Sequence, residues 1–171
     1  MAGNQREQLK NLTTGVFRES LRVKRELCDA AADRISEMAE RLAQAFRKQH
    51  CLFIFGNGGS AATASHMVND LNKGAIAPGV PRFRAISLVD NIPLLMAWSN
   101  DVSYAQGIAE PLRNLARPGD LLIGISYSGR SANVLAAVDV ARQLGLGTIG
   151  FTGSPGDPLA SRVDLPLRVP S

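Results

Sequence analysis

The sequence predicts an α/β fold in which helices cover both faces of a parallel five-stranded sheet. After residue 50, short apolar runs alternate with stretches of helical pattern, and this order of elements is typical of parallel sheets. The chain has 171 residues, which suffices for a single domain with a sizeable core. Apolar residues make up 45% and charged residues 20%, so the composition excludes disordered, collagen-like and disulfide-scaffold proteins.

Residues 1–50 form an N-terminal helical segment in this prediction. Residues 5–50 contain no Pro, and apolar residues recur there at the spacing of an amphipathic helix, at Ile35, Met38, Leu42 and Phe46. Because the segment is longer than a typical helix, we expect two helices, roughly 6–27 and 30–49, with a bend between Asp29 and Asp33. Residues 51–171 then form the core of the domain.

The core consists of alternating strands and helices. The predicted strands are the apolar runs Cys51–Phe55, Phe83–Leu88, Leu121–Ser126, Gly147–Phe151 and Leu165–Val169. The predicted helices are Ser60–Asn72, Ile92–Trp98, Tyr104–Leu115 and Ser131–Leu144. Right-handed crossovers between parallel strands place helices on both faces of the sheet, so its strands are buried on both sides.

Charge and cysteine content narrow the class of protein further. Nineteen Lys and Arg against 15 Asp and Glu give a net charge of +4, which does not call for a nucleic acid partner. No apolar stretch is long enough to cross a membrane. The only cysteines are Cys28 and Cys51, and two isolated thiols indicate a reducing compartment. We therefore expect a cytoplasmic protein with neither a nucleic acid nor a membrane partner.

A glycine-rich turn follows the first predicted strand and leads into a helix. Its residues are Gly56, Asn57, Gly58, Gly59 and Ser60. Glycines allow close approach of a ligand, and a helix N-terminus offers unpaired N–H groups to an anion. The spacing of Gly56, Gly58 and Ala61 also meets a loose dinucleotide-binding pattern, but the acidic residue expected about 20 residues later is absent at that distance. A nicotinamide-dependent oxidoreductase is therefore the least favoured interpretation, and we expect no nucleotide cofactor.

A second turn, Ser126–Ser131, connects the third predicted strand to a helix. Three serines and Gly129 meet at this one junction. Any single serine there is explained equally well as a helix N-cap, but a phosphate has enough oxygens to use several hydroxyl and N–H groups together. Neither turn has the Lys of a nucleotide P-loop, which favours a monophosphate ligand. In an open α/β sheet both turns lie at the same edge, where ligands bind.

These motifs resemble the sugar isomerase (SIS) domain and, within it, the phosphoheptose isomerase family. The resemblance depends on three stretches, Phe55–Ala61 with His66 in the next helix, Trp98–Asp101, and Gly124–Val134. It implies a single SIS domain, a three-layer sandwich with a five-stranded parallel sheet of the flavodoxin-like type, preceded by N-terminal helices that join subunits in a homotetramer. The implied reaction interconverts sedoheptulose 7-phosphate and D-glycero-D-manno-heptose 7-phosphate.

The resemblance also implies a set of substrate contacts. The phosphate would be held by Ser126, Ser128 and Ser131 with the backbone of Tyr127, the sugar chain would be lined by Asn57, Gly58, Gly59 and Ser60, and a further contact would come from Asn100 and Asp101. The pair Asn100 and Asp101 is also consistent with a helix-ending turn. Asn91 is a weaker candidate, better explained as a turn residue before Pro93.

Isomerisation through an enediol needs a base next to the carbon that loses its proton, and an acid or a metal at the carbonyl oxygen. His66 and Asp70 are four residues apart on one helix face, and the resemblance assigns them catalysis and, in some members, zinc binding. The family has a glutamate where this sequence has Asp70, and the shorter side chain withdraws the carboxylate by on the order of 1.5 Å. The alternative interpretations are a hydrogen-bonded core histidine and a surface pair between Asp70 and Lys73.

Family members continue beyond the fifth strand into a helix that carries a glutamine and a catalytic histidine, whereas this sequence stops at Ser171. His50 precedes the first strand, at the opposite edge of the sheet, and does not replace that histidine. The resemblance leaves two interpretations, a shortened form of an isomerase, which we favour, and a non-catalytic sugar-phosphate-binding module with a regulatory or protein partner.

Overall fold

The computed structural model describes residues 2–171 and begins with a single long helix, α1 (Ala2–Arg47). The predicted break between two helices is therefore wrong. Residues 29–33 read Asp-Ala-Ala-Ala-Asp, and alanine is the strongest helix former, so two flanking aspartates do not interrupt the helix. At 1.5 Å per residue, the 46 residues of α1 extend for about 69 Å.

The sheet has five parallel strands, as the sequence predicts. They are β1 (Cys51–Gly56), β2 (Arg84–Ser87), β3 (Leu121–Ile125), β4 (Gly147–Thr152) and β5 (Leu165–Arg168). Their spatial order is β2-β1-β3-β4-β5. This is the flavodoxin-like order, in which the connections reverse direction between β1 and β3. The carboxyl ends of these two strands therefore flank the crevice in which ligands of such sheets bind.

Across the described residues 2–171, six helices and one short π-helical turn precede or connect the strands of the sheet. After α1 come α2 (Gly59–Asn69), a π-helical turn (Asp70–Gly74), α3 (Ile92–Asp101), α4 (Ala109–Leu115), α5 (Ala132–Gln143) and α6 (Leu159–Arg162). The helix predicted from Tyr104 begins only at Ala109. Gly107 explains the delay, because a Cβ there would lie 2.8 Å from Leu95 Cδ1, so the chain must first turn closely against α3.

Apolar side chains alternate along β1 and divide the core into two layers. Phe53 and Phe55 are fully buried and pack with α4 and α5 residues such as Leu112 and Val138. Leu52 and Ile54 face the opposite layer with Ala64 of α2, and Met38 and Leu42 of α1 complete that layer. This alternation is the period of two expected for a strand. The sheet is thus the central layer of a three-layer sandwich.

Within residues 2–171, the structure has no helix that combines the length and the apolar character needed to span a bilayer.

Candidate active site

The turn after β3 contains the three predicted phosphate-binding serines. It depends on Gly129, which adopts a positive φ of 68°. A Cβ at Gly129 would lie 2.0 Å from the backbone oxygen of Gly156, so no larger residue fits there without moving the chain. The Gly129 N–H donates to the carbonyl of Ser126 at 3.1 Å. This tight turn brings Ser126 and Ser131 to the start of α5.

The hydroxyl groups of this turn are only weakly engaged within the chain. Ser126 Oγ and Ser131 Oγ are 3.3 Å apart, and Ser128 Oγ accepts a hydrogen bond of 3.3 Å from Arg130 N–H. Ser131 occupies the N-cap position of α5, but its side chain makes no capping hydrogen bond. The helix-cap explanation therefore does not account for Ser131, and its hydroxyl retains hydrogen-bonding capacity for a ligand.

The turn after β1 is connected to the other elements through Asn57. The Asn57 and Asn133 side chains form a reciprocal pair of amide hydrogen bonds, 2.9 Å from Asn57 Nδ2 to Asn133 Oδ1 and 2.8 Å in the reverse direction. Tyr104 donates its hydroxyl proton to Asn57 Oδ1 at 2.9 Å. Three segments distant in sequence are thereby joined at the carboxyl edge of the sheet.

A cavity of about 240 Å³ lies between the two turns. It is lined by Asn57, Ser60, Ile125, Ser126, Tyr127, Ser128 and Ser131. Gly58 and Gly59 continue the same turn and are exposed. The lining has no charged side chain. The helices α2 and α5 both begin at this edge of the sheet. Unpaired N–H groups and neutral hydroxyls are the groups that accept an anion without a competing carboxylate.

The predicted catalytic pair lies further along α2 and does not line this cavity. His66 Nε2 is 3.4 Å from Asp70 Oδ2, and the two side chains are 77% and 63% exposed. His66 is therefore not a core residue, and Asp70 is next to His66, not paired with Lys73. Asp70 begins the π-helical turn, a local widening that is frequent at functional sites. Because His66 follows Ser60 by six residues, it lies about 9 Å further along the helix.

Asn100 and Asp101 lie at the end of α3 and bond to each other, with 2.9 Å from Asn100 Nδ2 to Asp101 Oδ1. Both are exposed, and neither lines the cavity. Asn91 is the N-cap of α3, where its side chain accepts a hydrogen bond of 3.2 Å from Leu94 N–H. This agrees with the interpretation of Asn91 as a turn residue.

The donor atoms near His66 and Asp70 are too few for a zinc site. Among residues 2–171, no three His, Cys, Asp or Glu side chains are grouped so as to hold a metal ion. His66 and Asp70 supply two donors, whereas a catalytic zinc has three protein ligands. The described residues do not by themselves form a zinc site, and we derive no chemical step through a metal.

Two residues of the site were not among the predicted contacts. Asn133 belongs to the motif after β3 but its side chain is directed to Asn57, and it is 1% exposed. Tyr104 lies in a segment predicted to be helical. A polar residue at the second position of α5, where periodicity predicts an apolar side chain, was the available signal for Asn133. No sequence signal identifies Tyr104.

Comparison with known proteins gives consistent matches. The SIS domain family model matches residues 17–153. The phosphoheptose isomerase of Roseiflexus sp. is 43% identical over 159 residues, covering 89% of this chain and 77% of that protein. That of Thermodesulfovibrio yellowstonii is 40% identical over 159 residues, with 91% and 77% covered. The structure of the phosphoheptose isomerase from Neisseria gonorrhoeae is 31% identical, with a TM-score of 0.89 and 95% of this chain and 86% of that chain covered.

The matched residues include both turns of the cavity and the helix that carries His66 and Asp70. Sequence identity of this level over most of both chains, together with a TM-score of 0.89, leads to one conclusion. The chain belongs to the SIS domain family and, within it, to the phosphoheptose isomerases.

Proposed function

We propose that this chain is an isomerase that interconverts sedoheptulose 7-phosphate and D-glycero-D-manno-heptose 7-phosphate. The single observation that carries the proposal is the neutral, hydroxyl-lined cavity at the β1–β3 crevice of a phosphoheptose isomerase fold. Ser126, Ser128 and Ser131 bind the phosphate in this proposal, together with the backbone of Tyr127. Asn57, Gly58, Gly59 and Ser60 line the sugar chain.

The reacting end of the sugar lies along α2 in this proposal. The phosphate cavity and His66 are separated by about 9 Å of helix, a length of the same order as an extended seven-carbon chain. With the phosphate bound at the serines, the carbonyl end of the substrate extends towards His66 and Asp70. Asn100 and Asp101, at the end of α3, are proposed as a contact for the sugar hydroxyls.

Asp70 is the proposed base, because its exposed side chain lies 3.4 Å from His66 and it is the only carboxylate in residues 59–74, which form α2 and the π-helical turn. It removes the proton from C2 of the aldose, the electron pair forms the C1–C2 double bond of the enediol, and the C1 oxygen takes up a proton. A proton then adds to C1 while the C2 hydroxyl gives up its proton to a base or to solvent, so that the C2 carbonyl of the ketose forms. His66 is adjacent at 3.4 Å, which allows it to orient the carboxylate or to exchange a proton with a substrate oxygen.

The experiment is an NMR time course with sedoheptulose 7-phosphate in heavy water. Isomerisation produces aldose signals with deuterium at C2, since the proton returned to that carbon comes from solvent. Saturable binding without any aldose signal would instead indicate a sugar-phosphate-binding module that does not convert its ligand. Absence of both binding and turnover would refute the proposal.

Zinc at His66 and Asp70 remains a prediction that follows from the family resemblance. The two donors stand at the i and i+4 positions of one helix, an arrangement suitable for sharing a metal. Elemental analysis of the purified protein, compared with the His66→Ala variant, tests it. A zinc content that is equal in the two proteins would exclude a site at these residues.

A homotetramer joined through residues 1–50 is the proposed assembly. The outer half of α1 carries a stripe of apolar side chains that are 53–67% exposed, at Leu9, Leu12, Val16, Phe17 and Leu21. Their spacing is that of a helix seam which buries its apolar face against other helices. Light scattering of wild type and Phe17→Glu tests the assembly, and a monomeric wild type would contradict it.

A cytoplasmic location remains a prediction, based on the two free thiols.

A further inference from the structure

The hydrogen-bonding capacity of Asn57 is almost fully used within the chain. Its Oδ1 atom accepts from Tyr104 Oη at 2.9 Å and from Asn133 Nδ2 at 2.8 Å. Its Nδ2 atom donates one proton to Asn133 Oδ1 at 2.9 Å. A carboxamide oxygen has two lone pairs and its nitrogen has two N–H groups. One N–H of Asn57 is therefore the only group of this side chain still available to a ligand.

The network determines which group of Asn57 meets the ligand. The reciprocal pair with Asn133 could form equally well with both amides reversed, because each amide offers the same two groups in either orientation. In the arrangement that the structure shows, the tyrosine hydroxyl donates to the Asn57 oxygen, so this oxygen accepts two hydrogen bonds and one N–H of Asn57 stays free. Asn133 is 1% exposed, so its side chain is fixed by the surrounding interior of the protein. Tyr104 is 56% exposed and bonds Asn57 from the solvent side.

We propose that Tyr104 is a positioning residue of the sugar-phosphate site, which holds the Asn57 carboxamide so that its free N–H faces the ligand cavity. Asn57 then recognises an oxygen acceptor of the ligand and does not accept a proton from it. This inference rests on the proposed function of the cavity. It adds a residue that does not line the cavity and acts on the ligand only through Asn57.

The test compares wild type with Tyr104→Phe, which removes the hydroxyl and retains the ring. Turnover of sedoheptulose 7-phosphate, its affinity and the affinity for inorganic phosphate are measured for both proteins. We expect kcat/KM and sugar-phosphate affinity to fall about five- to tenfold, the effect of one hydrogen bond. Inorganic phosphate affinity should stay within twofold, because the serine turn does not contact Tyr104.

Two further variants separate positioning from a general structural effect. In an Asn57→Ala background, Tyr104→Phe should change sugar-phosphate affinity less than twofold, because the side chain it positions is gone. Ser99→Ala, which removes a hydrogen bond of 2.6 Å to the Leu95 carbonyl on α3, is the matched control, and its ligand affinities should equal those of wild type. The side-chain amide resonances of Asn57 should shift in Tyr104→Phe.

Several outcomes would overturn the proposal. Wild-type affinity and unchanged Asn57 resonances in Tyr104→Phe, or an equal loss of phosphate and sugar-phosphate affinity, would do so. A loss that persists in the Asn57→Ala background would also do so. If the wild-type protein binds sedoheptulose 7-phosphate without converting it, the proposed function fails while the affinity comparison still decides the role of Tyr104. If wild type binds neither ligand, both proposals fail.

Discussion

Both edges of the sheet have a cavity, but the two cavities differ in how far their polar groups are already bonded within the chain. At the carboxyl edge the cavity has about 240 Å³ and neutral lining. At the amino edge a larger cavity of about 450 Å³ lies between α1 and the strand starts, and its lining includes Glu37, Glu40, Arg41, Lys48 and His50. Size and charge alone would have favoured the amino edge as the ligand site.

Several polar groups of the amino edge serve the fold. Asp120 Oδ1 accepts from Cys51 N–H at 2.7 Å, and Asp120 Oδ2 accepts from Arg117 N–H at 2.8 Å. Glu37 and Arg41 form an ion pair of 2.7 Å. A Cβ at Gly119 would lie 2.5 Å from His50 Cε1, so the histidine ring packs directly on the backbone. The contacts of His50, Cys51 and Asp120 join the start of β1 to the loop before β3, and the Glu37–Arg41 ion pair lies within α1.

The difference teaches that unused hydrogen-bonding capacity identifies the ligand site better than volume does. The serine hydroxyls of the carboxyl edge make only long contacts of 3.3 Å, one between Ser126 and Ser131 and one from the Arg130 N–H to Ser128. They stand at helix starts whose first N–H groups have no partner within the helix. The four predictions below test this contrast, beginning with the largest expected effect.

The tightest point of the carboxyl edge is Gly129. Gly129→Ala should lower the free energy of unfolding by more than about 3 kcal/mol, because a methyl group cannot fit against Gly156 and φ is positive. Gly58→Ala is the matched control. Gly58 also has a positive φ, of 53°, but a Cβ there meets nothing within 4 Å, so Gly58→Ala should cost only the backbone strain, about 1–3 kcal/mol. Chemical denaturation measures both, and equal losses would contradict the steric explanation.

The catalytic role of Asp70 is testable independently of the fold, because the side chain is 63% exposed. Asp70→Asn should lower kcat for sedoheptulose 7-phosphate about a hundredfold or more, since the amide cannot act as a base. Inorganic phosphate affinity and thermal stability should remain unchanged. Asp70→Glu retains the carboxylate and should keep most of the activity. An Asp70→Asn protein with wild-type kcat would remove Asp70 from the mechanism.

Ser131 and Asn91 occupy the same N-cap position on two helices and should respond in opposite ways. Ser131→Ala should weaken inorganic phosphate binding about tenfold while stability changes little, because its side chain caps nothing. Asn91→Ala should cost about 1 kcal/mol of stability, since its side chain bonds Leu94 N–H, and phosphate binding should not change. Titration calorimetry and denaturation give both quantities. If Ser131→Ala lowers the free energy of unfolding but not the affinity for inorganic phosphate, the role of Ser131 is structural.

The smallest expected effect is at the amino edge. Burial, followed by the nearby Asp120 carboxylate, raises the pKa of the Cys51 thiol from 9.0 to about 11. Folding therefore favours the protonated thiol, and this stabilisation is complete below pH 9 and is lost as pH rises from 9 through 11. At pH 10 the loss is about 1 kcal/mol relative to pH 8.

The pH dependence of unfolding should accordingly be flatter in Cys51→Ala than in wild type between pH 8 and pH 10. Other groups that titrate in this range are common to both proteins and cancel in the comparison. Parallel curves for the two proteins would show that the thiol does not titrate differently in the folded state.

The sequence was sufficient for the positions of the strands along the chain and for the two turns because those features depend on local signals. Apolar runs bounded by glycines locate β1 and β3, and the glycines and serines that follow them mark the carboxyl edge. The predicted break in α1 is wrong because three alanines separate Asp29 from Asp33, and their helix propensity outweighs that of the two aspartates. The partnership of Asn57, Asn133 and Tyr104 joins positions 47 and 76 residues apart, and no local pattern contains such a contact.

The most direct test of the contrast between the two edges is a titration of isotope-labelled protein with inorganic phosphate, followed by the backbone amide resonances. We predict that the largest shifts occur at the N–H groups of residues 57–61 and 126–133, where the turns after β1 and β3 meet. Shifts centred on His50 and Gly119, or no saturable shift at either edge, would contradict the assignment of the carboxyl edge as the phosphate-binding site.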